Sequence, residues 1–409
     1  MEVLLLTQIV PFPPDSGPKI KTFHVIQSLS RRHNITLVSF VRSQEEIRRA
    51  QELEAYCREV RPVPLARSMV RDGYFLTRSL FSSQPFLILR DFYPAMRDAV
   101  RRVSQQRNFD IVHADQLSMA QYALMASGKA RIFDAHNAVW TIVRRLCQVQ
   151  KPGPKKVLLE LEWRKMRRYE GWVCTQFDHV LAVTQEDAAA LQSAAGAYRI
   201  GSTVVPIAVD VLGSRPVERR SGVKNIISVG TMFYPPNIDG VLWFIREVFP
   251  LVKQGSPETK FYVVGAKPPR IVQEMAEKDP SIVVTGYVDD LGPLLADCAL
   301  LVVPLRSGSG MRVKILESFA WGLPVVSTTI GYEGIEVTPG EDILAADSPE
   351  DFARSVLEAI CTPELARCLS RNGRRLAEEK YDWRAVCGKL NEVYDQTVAA
   401  KAEAAGGRV

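Results

Sequence analysis

Short apolar runs alternate with longer amphipathic segments along most of the chain. In the first half these runs lie at residues 3–9, 35–40, 111–114, 131–135 and 180–184. The second half repeats the pattern at residues 226–229, 260–264, 282–285, 300–304 and 324–327. Apolar strands that alternate with helical segments predict parallel sheets with helices on both faces. We therefore expect an α/β protein with two Rossmann-like domains.

A segment without hydrophobic periodicity separates the two halves. Residues 211–224, VLGSRPVERRSGVK, combine glycine, proline and charge, which indicates an interdomain linker. The predicted domains are residues 1–210 and 225–380. Residues 381–409 are expected to form a helix that crosses back to the first domain and ends in a frayed tail. Because ligands bind at the carboxyl ends of parallel strands, we expect the site in a cleft between the domains.

Residues 300–331 read as a strand, a glycine loop, a helix and a second strand. Gly308 and Gly310 permit close approach of the backbone to a ligand, and the next helix directs unpaired amides at the same loop. That arrangement suits phosphate. Lys314 and Glu317 are three residues apart and share a helix face, where they suit a diphosphate and its ribose. The alternative is that the two side chains simply pair with each other on a solvated face.

The motif P-L-x-x-G-S-G-x-R-x-K-x-L-E-x-x-A-x-G-x-P-V-V-S-T, at residues 304–328, resembles the donor-sugar signature of group 1 glycosyltransferases. The resemblance implies the GT-B fold, with two parallel sheets facing across a cleft, and a retaining transfer. In that family two glutamates eight positions apart contact the donor, and the second holds the ribose. Glu317 matches the second glutamate, whereas Ser309 stands at the first and departs from the family pattern.

The same resemblance assigns further residues of the second domain. It implies that Ser309, Gly310 and Arg312 bind the donor and that Lys314 and Glu317 are catalytic as well as donor-binding. Two more donor-binding positions follow other strands of this domain, Gly230 in a glycine turn and Val288 where relatives hold the base through backbone groups.

In the first domain, strand one leads into a proline-rich loop that contains Gly17 and Lys19. These two residues are predicted to lie over a phosphate or the acceptor, with an ordinary strand-to-helix turn as the alternative. The loop resembles the glycine-containing first loop of the same transferases. The stretch up to residue 40 is similar to sugar transferases associated with bacterial exopolysaccharide systems.

His136, in the sequence FDAHNAVW, closes a strand whose end should face the cleft. A lone histidine of this kind is often structural, because its ring readily bridges loop carbonyls. In the resembling family a histidine after this strand contacts the donor sugar and supports the retaining transfer. His136 matches it, and His113 matches a less defined position nearby.

The charge of the chain is unevenly distributed. Residues 1–210 contain 29 Lys/Arg and 20 Asp/Glu, a balance of +9, whereas the remainder contains 23 and 26, a balance of −3. The basic half is expected to face an anionic membrane surface or a phosphorylated lipid. Arg71, Arg78 and Arg90 interleave with aromatic residues and are predicted to face the acceptor or the membrane. The alternative is that the aromatics are core and the arginines are solvated.

Together these patterns predict a metal-independent glycosyltransferase of the hexosyltransferase type that needs no cofactor. It would move a sugar from a nucleotide diphosphate sugar to a glycan or lipid-linked acceptor in cell-surface or exopolysaccharide synthesis. The seven scattered cysteines favour a reducing compartment and argue against a zinc site. We expect a cytoplasmic protein, peripheral on the inner face of the plasma membrane, since the chain has no run of about 18 apolar residues.

Other classes of function stay open at the level of sequence. The same fold hosts sugar-nucleotide epimerases, and loss of the first glutamate is also compatible with a degenerate nucleotide-sugar-binding protein. A nicotinamide dehydrogenase is disfavoured, because the first strand leads to VPFPPDSG and not to G-x-G-x-x-G. Nucleic acid is disfavoured as a partner, because no nucleic-acid-binding module is found along the chain.

Overall fold

The structure is a computed structural model that describes residues 1–220, 222–308 and 310–406, with side chains described as far as residue 403. The chain forms two compact units. Unit 1 consists of Met1–Ile207 and the chain from Val386 onward, and unit 2 consists of Ala208–Ala385. Each unit contains one parallel sheet, which confirms the predicted α/β class with two Rossmann-like domains.

The sheet of unit 1 has seven parallel strands in the order β3-β2-β1-β4-β5-β6-β7. The strands are β1 Glu2–Thr7, β2 Asn34–Val41, β3 Glu59–Pro64, β4 Phe109–Asp115, β5 Gly128–Ala135, β6 His179–Ala182 and β7 Ser202–Val204. Five of them were predicted, and the two outermost were not. β3 reads EVRPVP, and its two prolines are compatible with a strand only at an edge, where β3 indeed lies.

Ten helices or parts of helices surround this sheet in the described part of unit 1. They are α1 Gly17–Leu29, α2 Gln44–Glu52, α3 Met69–Leu80, α4 Phe86–Arg90, α5 Pro94–Gln106, α6 Leu117–Ala123, α7 Val139–Gln148, α8 Pro154–Gln176, α9 Gln185–Ala195 and, from Val386, the last helix of the chain. α9 is capped at its start by Thr184, whose hydroxyl accepts a hydrogen bond from the backbone N–H of Asp187.

The sheet of unit 2 has six parallel strands in the order β10-β9-β8-β11-β12-β13. The strands are β8 Asn225–Val229, β9 Phe261–Val264, β10 Ile282–Gly286, β11 Cys298–Val303, β12 Val325–Ser327 and β13 Leu344–Ala345. The helices are α10 Pro235–Trp243, α11 Phe249–Gly255, α12 Arg270–Lys278, α13 Gly292–Ala296, α14 Val313–Ala320, α15 Pro349–Cys361 and α16 Pro363–Lys380, with a π-helical turn at Phe244–Val248.

The segment predicted as a linker packs onto unit 2 where the structure describes it. The backbone N–H of Val217 donates to the carbonyl of Trp321 at 2.9 Å. The Arg219 guanidinium donates to the carbonyl of Ala299 at 3.0 Å and to Ser370 at 3.1 Å. The boundary between the units therefore falls at residue 207, before this segment.

The last helix, α17 Trp383–Gly406, starts in unit 2 and belongs to unit 1 from Val386. Its apolar side packs into unit 1 through Leu390 and Tyr394, which are both fully buried. No helix in the described ranges is long and apolar enough to span a membrane.

Candidate functional site

The carboxyl ends of β8 to β11 lie at one edge of the sheet of unit 2. Glycines occur at or soon after each of these ends: Gly230 after β8, Gly265 after β9, Gly286 as the last residue of β10, and Gly308 and Gly310 in the loop after β11. Four of these glycines have positive φ angles, 156° at Gly265, 73° at Gly286, 124° at Gly308 and 83° at Gly310. Such angles disfavour a side chain, so the loops stay narrow and open to a ligand. Val288 lies just beyond β10, the outer strand, and Ser309 lies outside the described residues.

Lys314 reaches from the first turn of α14 to the loop after β8. Its ammonium donates to the Oδ1 atom of Asn237 at 3.3 Å. A Cβ atom on Gly230 would lie 2.7 Å from the Lys314 Nζ atom and 2.9 Å from the Asn237 Nδ2 atom. Glycine at position 230 therefore leaves room for the ammonium. The structure brings the predicted residues Gly230 and Lys314 together and adds Asn237, which the sequence did not single out.

The electrostatics of Lys314 and Glu317 differ from those of a surface ion pair. Burial, reinforced by Arg312, lowers the pKa of Lys314 to about 8, although Glu317 acts in the opposite direction. Burial also raises the pKa of Glu317 against the influence of Lys314. No ion pair joins the two within the part of the chain that the structure describes, which removes the surface-pair interpretation. The Lys314 ammonium and the Glu317 carboxyl group can therefore each bind a group of a ligand.

Arg312 immediately precedes α14 and folds over the glycine loop. Its Nη1 atom donates to the carbonyl of Gly310, and its Nη2 atom would lie 2.8 Å from a Cβ atom on Gly308. The loop therefore presents two cations, Arg312 and Lys314, beside the N-terminus of an eight-residue helix. Positive charge concentrated there favours a diphosphate.

A further cation, Lys267, follows β9 and was missed by the sequence analysis. Its φ angle is 56°, and its Nζ atom lies 5.9 Å from the centre of the Phe233 ring. Phe233 is 63% exposed and Tyr287, directly after β10, is 71% exposed. Exposed aromatic rings at the end of a parallel sheet offer stacking surfaces for a planar base. The signal was the sequence GAKPP after a buried strand.

In unit 1, His136 lies beyond the end of β5 and is held by a carboxylate from the end of β4. Its Nε2 atom lies 2.8 Å from the Oδ1 atom of Asp115, which also accepts a hydrogen bond from the Thr22 hydroxyl at 2.9 Å. Because a carboxylate only accepts, Nε2 donates to Asp115, and Nδ1 is the ring nitrogen that this contact leaves for another partner. Both His136 and Asp115 are buried.

A second buried network stands beside this pair. The Lys21 ammonium donates to Asp134, and His113 lies 3.7 Å from the other oxygen of the same carboxylate and 2.5 Å from the Tyr394 hydroxyl. Burial opposes ionisation of Asp134, but Lys21 and the histidines outweigh it and hold the pKa of Asp134 below its ordinary range. His113, Asp115 and Asp134 offer atoms that could bind a metal ion, all within 4.8 Å of one another. The Lys21 ammonium already supplies a positive charge to Asp134 in this cluster.

The backbone after His136 is held by two carboxyl groups, one partly buried and one fully buried. Asp187 accepts from the N–H of Ala138 at 2.8 Å. Glu170, which is fully buried in α8, accepts from the N–H groups of Val139 and Trp140 at 3.0 Å each. These are free amides at the start of α7, so Glu170 caps that helix. Burial raises the pKa of Glu170 to about 8.

The remaining predicted residues of unit 1 lie apart from these networks. Gly17 is the first residue of α1, and Lys19 pairs with Asp15 at 2.9 Å. Arg71 donates to the carbonyls of Arg90 and Phe92, and Arg90 donates to Asp91. Arg78 is exposed on α3. Two of the three arginines therefore hold the fold locally, and Arg78 remains directed to solvent.

Both units match glycosyltransferase family models. The model described as "Glycosyltransferase Family 4" matches residues 22–211, and the model described as "Glycosyl transferases group 1" matches residues 223–361. The two matches confirm the resemblance that the motif at 304–328 suggested.

Individual relatives are distant. A Klebsiella pneumoniae protein described as an "Uncharacterized 44.6 kDa protein in cps region" is 20% identical over 407 residues, which cover 95% of this chain and 98% of that protein. The MMP alpha-(1->4)-mannosyltransferase of Mycolicibacterium hassiacum is 24% identical over 323 residues, 75% of each chain.

Solved structures of glycosyltransferases share the fold. Anabaena HepE in complex with UDP has a TM-score of 0.69 at 14% identity, with 97% of this chain and 100% of that chain covered. Sucrose-phosphate synthase from Thermosynechococcus elongatus has a TM-score of 0.69 at 16% identity, with 98% and 100% covered. The two parallel α/β units therefore form the GT-B type of fold.

Proposed function

The chain belongs to the group 1 glycosyltransferases of GT-B fold, and on that premise we propose that it moves a hexose from a nucleotide diphosphate sugar to a glycan or lipid-linked acceptor with retention at the anomeric carbon. The observation that carries the proposal is the position of Lys314. Its ammonium lies beside Gly230 and donates to the amide oxygen of Asn237, and no carboxylate pairs with it among the residues that the structure describes. A diphosphate supplies the missing negative charge.

Each site residue has a role in this proposal. Arg312 and Lys314 neutralise the charge that develops on the leaving diphosphate, and the N-terminus of α14 adds to that field. Glu317 accepts from the ribose hydroxyls. His136, fixed by Asp115, presents its free ring nitrogen to the donor sugar. Lys267, Phe233 and Tyr287 extend the donor site around the phosphate and the base.

The nature of the donor is supported by a structural relative. HepE is described in complex with UDP and in complex with UDP-glucose. By analogy, we propose a nucleotide diphosphate hexose as donor for this chain. A role in cell-surface or exopolysaccharide synthesis, at the cytoplasmic face of the membrane, is supported by the cps-region relative and by the basic balance of residues 1–210.

Metal independence is part of the proposal. The cations of unit 2 already supply positive charge at the diphosphate position, and a divalent ion in the cluster of unit 1 would have to share Asp134 with Lys21. Transfer is therefore expected to persist in excess chelator. Loss of turnover in chelator, restored by a single divalent ion, would overturn this part of the proposal.

The experiment that tests the function combines binding with product analysis. The purified protein is incubated with a panel of nucleotide sugars, and thermal shift and released nucleotide are recorded, first alone and then with glycan and lipid-linked acceptors. We expect one donor to stabilise the protein and to yield a product whose anomeric proton shows the donor configuration. Donor consumption without transfer would instead indicate an epimerase, and binding without turnover a degenerate binding protein.

A further inference from the structure

Unit 1 contains an apolar cavity that the donor and sugar chemistry does not use. It measures about 430 Å³ and opens between α3, α4, α6 and α8. Its lining residues are Phe75, Arg78, Gln84, Ile88, Leu89, Phe92, Gln121, Leu124, Met125, Tyr169 and Trp172. Arg78 is the one charged residue among these described lining residues. Mostly apolar walls with a few polar groups, at this volume, are typical of a ligand site.

The walls of the cavity are fixed by hydrogen bonds between its helices. The Ser79 hydroxyl, at the end of α3, donates to Glu162 of α8 at 2.8 Å. The backbone N–H of Phe86, at the start of α4, donates to the other oxygen of the same carboxylate at 2.8 Å. Lys165 also donates to Ser79 at 3.3 Å. The cavity is therefore held open by α3 and α4 anchored on α8, so a ligand need not create it.

The outer face of α3 continues the apolar surface beyond the cavity. Val70, Tyr74 and Phe81 follow one another at helical spacing and are 84%, 60% and 89% exposed. Arg78 lies in the same stripe and has no hydrogen-bond or ion-pair partner in the described ranges. A helix face of large apolar residues with a free cation is chemically suited to a hydrocarbon chain that ends in a phosphate.

We infer that this cavity binds the hydrocarbon chain of a lipid-phosphate acceptor and that Arg78 binds its phosphate. Charge complementarity favours this occupant, because Arg168, four residues before Trp172 on α8, is a second exposed cation on the same helix face. The cavity is also linked to the candidate site. Tyr169 lines it, while the next residue, Glu170, holds the backbone after His136. The inference rests on the proposed function only in calling the lipid an acceptor.

The test uses farnesyl phosphate as the probe, with farnesol and inorganic phosphate as its two separate halves. We expect saturable binding of farnesyl phosphate to the full chain and much weaker binding of either half. Met125→Glu places a carboxylate at the 37% exposed rim of the cavity, and Arg78→Gln removes the cation. Each should weaken binding about tenfold or more, the effect of one lost or opposed charge contact. Tyr198→Glu and Arg101→Gln are the matched exposed controls and should change nothing.

A fluorescence experiment tests whether the hydrocarbon chain of the ligand lies within the cavity. Farnesyl phosphate that carries bromine along its hydrocarbon chain should quench the tryptophan fluorescence of the wild-type protein. Most of this quenching should disappear in Trp172→Phe, which removes the tryptophan that lines the cavity. Equal affinity in Met125→Glu, or quenching that survives Trp172→Phe, would overturn the inference. Binding only to phosphatidylglycerol vesicles, with no saturable binding of farnesyl phosphate, would assign the surface to the bilayer instead.

Failure of the lipid-site inference and failure of the proposed transferase function give different results. Sugar transfer to a water-soluble glycan, without farnesyl phosphate binding, would leave the proposed function intact and remove the lipid site. Saturable binding in the cavity without any nucleotide-sugar turnover would leave the lipid site and remove the transferase activity.

Discussion

At the scale of single residues, Lys314 sets the expected pH dependence of donor binding. Its pKa of about 8 means that the ammonium is charged below pH 8 and neutral above it. Because the charged form attracts a diphosphate, the donor KM should be low below pH 8 and rise as pH increases through that value. Measuring the donor Kd from pH 6.5 to pH 9.5 checks this.

The matching variant is Lys314→Met, which keeps the length of the side chain and removes the charge. We expect kcat/KM to fall about tenfold to a hundredfold, the range for a lost charge-assisted contact, and the rise in donor Kd near pH 8 to disappear. A variant that retained the same pH dependence would show that another group titrates.

Asp115 is expected to act as a positioning residue through His136. Asp115→Asn keeps the shape of the side chain but weakens the hold on the ring, and a misplaced catalytic group can lower turnover about a hundredfold. The donor KM should change little, because Asp115 lies in unit 1 and the diphosphate site that we propose lies in unit 2. Steady-state kinetics that separate kcat from KM provide the measurement.

Thr22→Val is the control for Asp115→Asn. It removes the other hydrogen bond to the same carboxylate oxygen and leaves the contact with His136 in place. Equal losses of kcat in the two variants would assign Asp115 a general structural role.

Site residues close together in the sequence were predictable, and distant partners were not. Lys314 and Glu317 share one turn of a helix, so their spacing carries the information. Lys21 and Asp134 are 113 residues apart, and nothing local indicates that a lysine of α1 lies buried against the end of β5. The available signal was that Asp115 and Asp134 lie at the carboxyl ends of two buried strands, β4 and β5.

At the scale of elements, the glycine loop after β8 is expected to tolerate no side chain without a loss of donor affinity. Gly230→Ala would bring a methyl group within 2.7 Å of the Lys314 ammonium. That ammonium is the end of a flexible side chain, so it should move while the fold persists. We expect the donor KM to rise about tenfold, roughly 1.4 kcal/mol, with little change in Tm.

Gly388→Ala in α17 is the matched control, because no atom lies within 4 Å of its new methyl group. Within a helix this change should stabilise the protein by up to about 1 kcal/mol and leave the donor KM unchanged. An unchanged donor KM in Gly230→Ala would contradict the conclusion that the Lys314 ammonium packs closely against Gly230.

The burial of Glu170 predicts a pH-dependent stability, because burial outweighs the hydrogen bonds from Val139 and Trp140, which favour the charged carboxylate. Its pKa is raised by burial from 4.5 to about 8, so the folded state holds a proton that the unfolded state releases. This contribution is complete below about pH 4.5 and is lost as pH rises through 8, at most about 5 kcal/mol. The Tm of the wild type should therefore fall as the pH rises from 5 to 8. The Tm of Glu170→Gln, which has no carboxyl group at this position, should fall less over the same range. Parallel curves for the two proteins would contradict the assignment.

Central strands were predictable because a continuous apolar run has no other place in a soluble domain. Of the four edge strands, only β10 was predicted, and β3, β7 and β13 were not. β7 and β13 have three and two residues, too short for a pattern, and β3 carries two prolines and only one buried residue. The loop that holds Lys267 gave no periodic signal, and Asn237 lies in the first turn of α10, where the sequence gives no sign that its amide meets Lys314.

At the scale of the whole molecule, the chain forms most of unit 1, then all of unit 2, and its last helix completes the core of unit 1. Tyr394 of α17 is fully buried, and its hydroxyl lies 2.5 Å from the Nδ1 atom of His113 on β4. The middle of unit 1, including the strand before the Asp115 and His136 pair, therefore depends on residues that follow all of unit 2.

Deleting the chain after Ala385 is therefore expected to destabilise unit 1 and to spare unit 2, whose strands and core lie between residues 208 and 385. The deletion removes buried Leu390, Val393 and Tyr394, and each large core side chain contributes about 2 to 5 kcal/mol. Hydrogen exchange should accelerate in β1, β4 and β5 and stay slow in β8 and β11. Tyr394→Phe, which removes only the hydroxyl, should perturb the surroundings of His113 alone. Equal acceleration in both sheets of the truncated chain would show that unit 2 also depends on the returning helix.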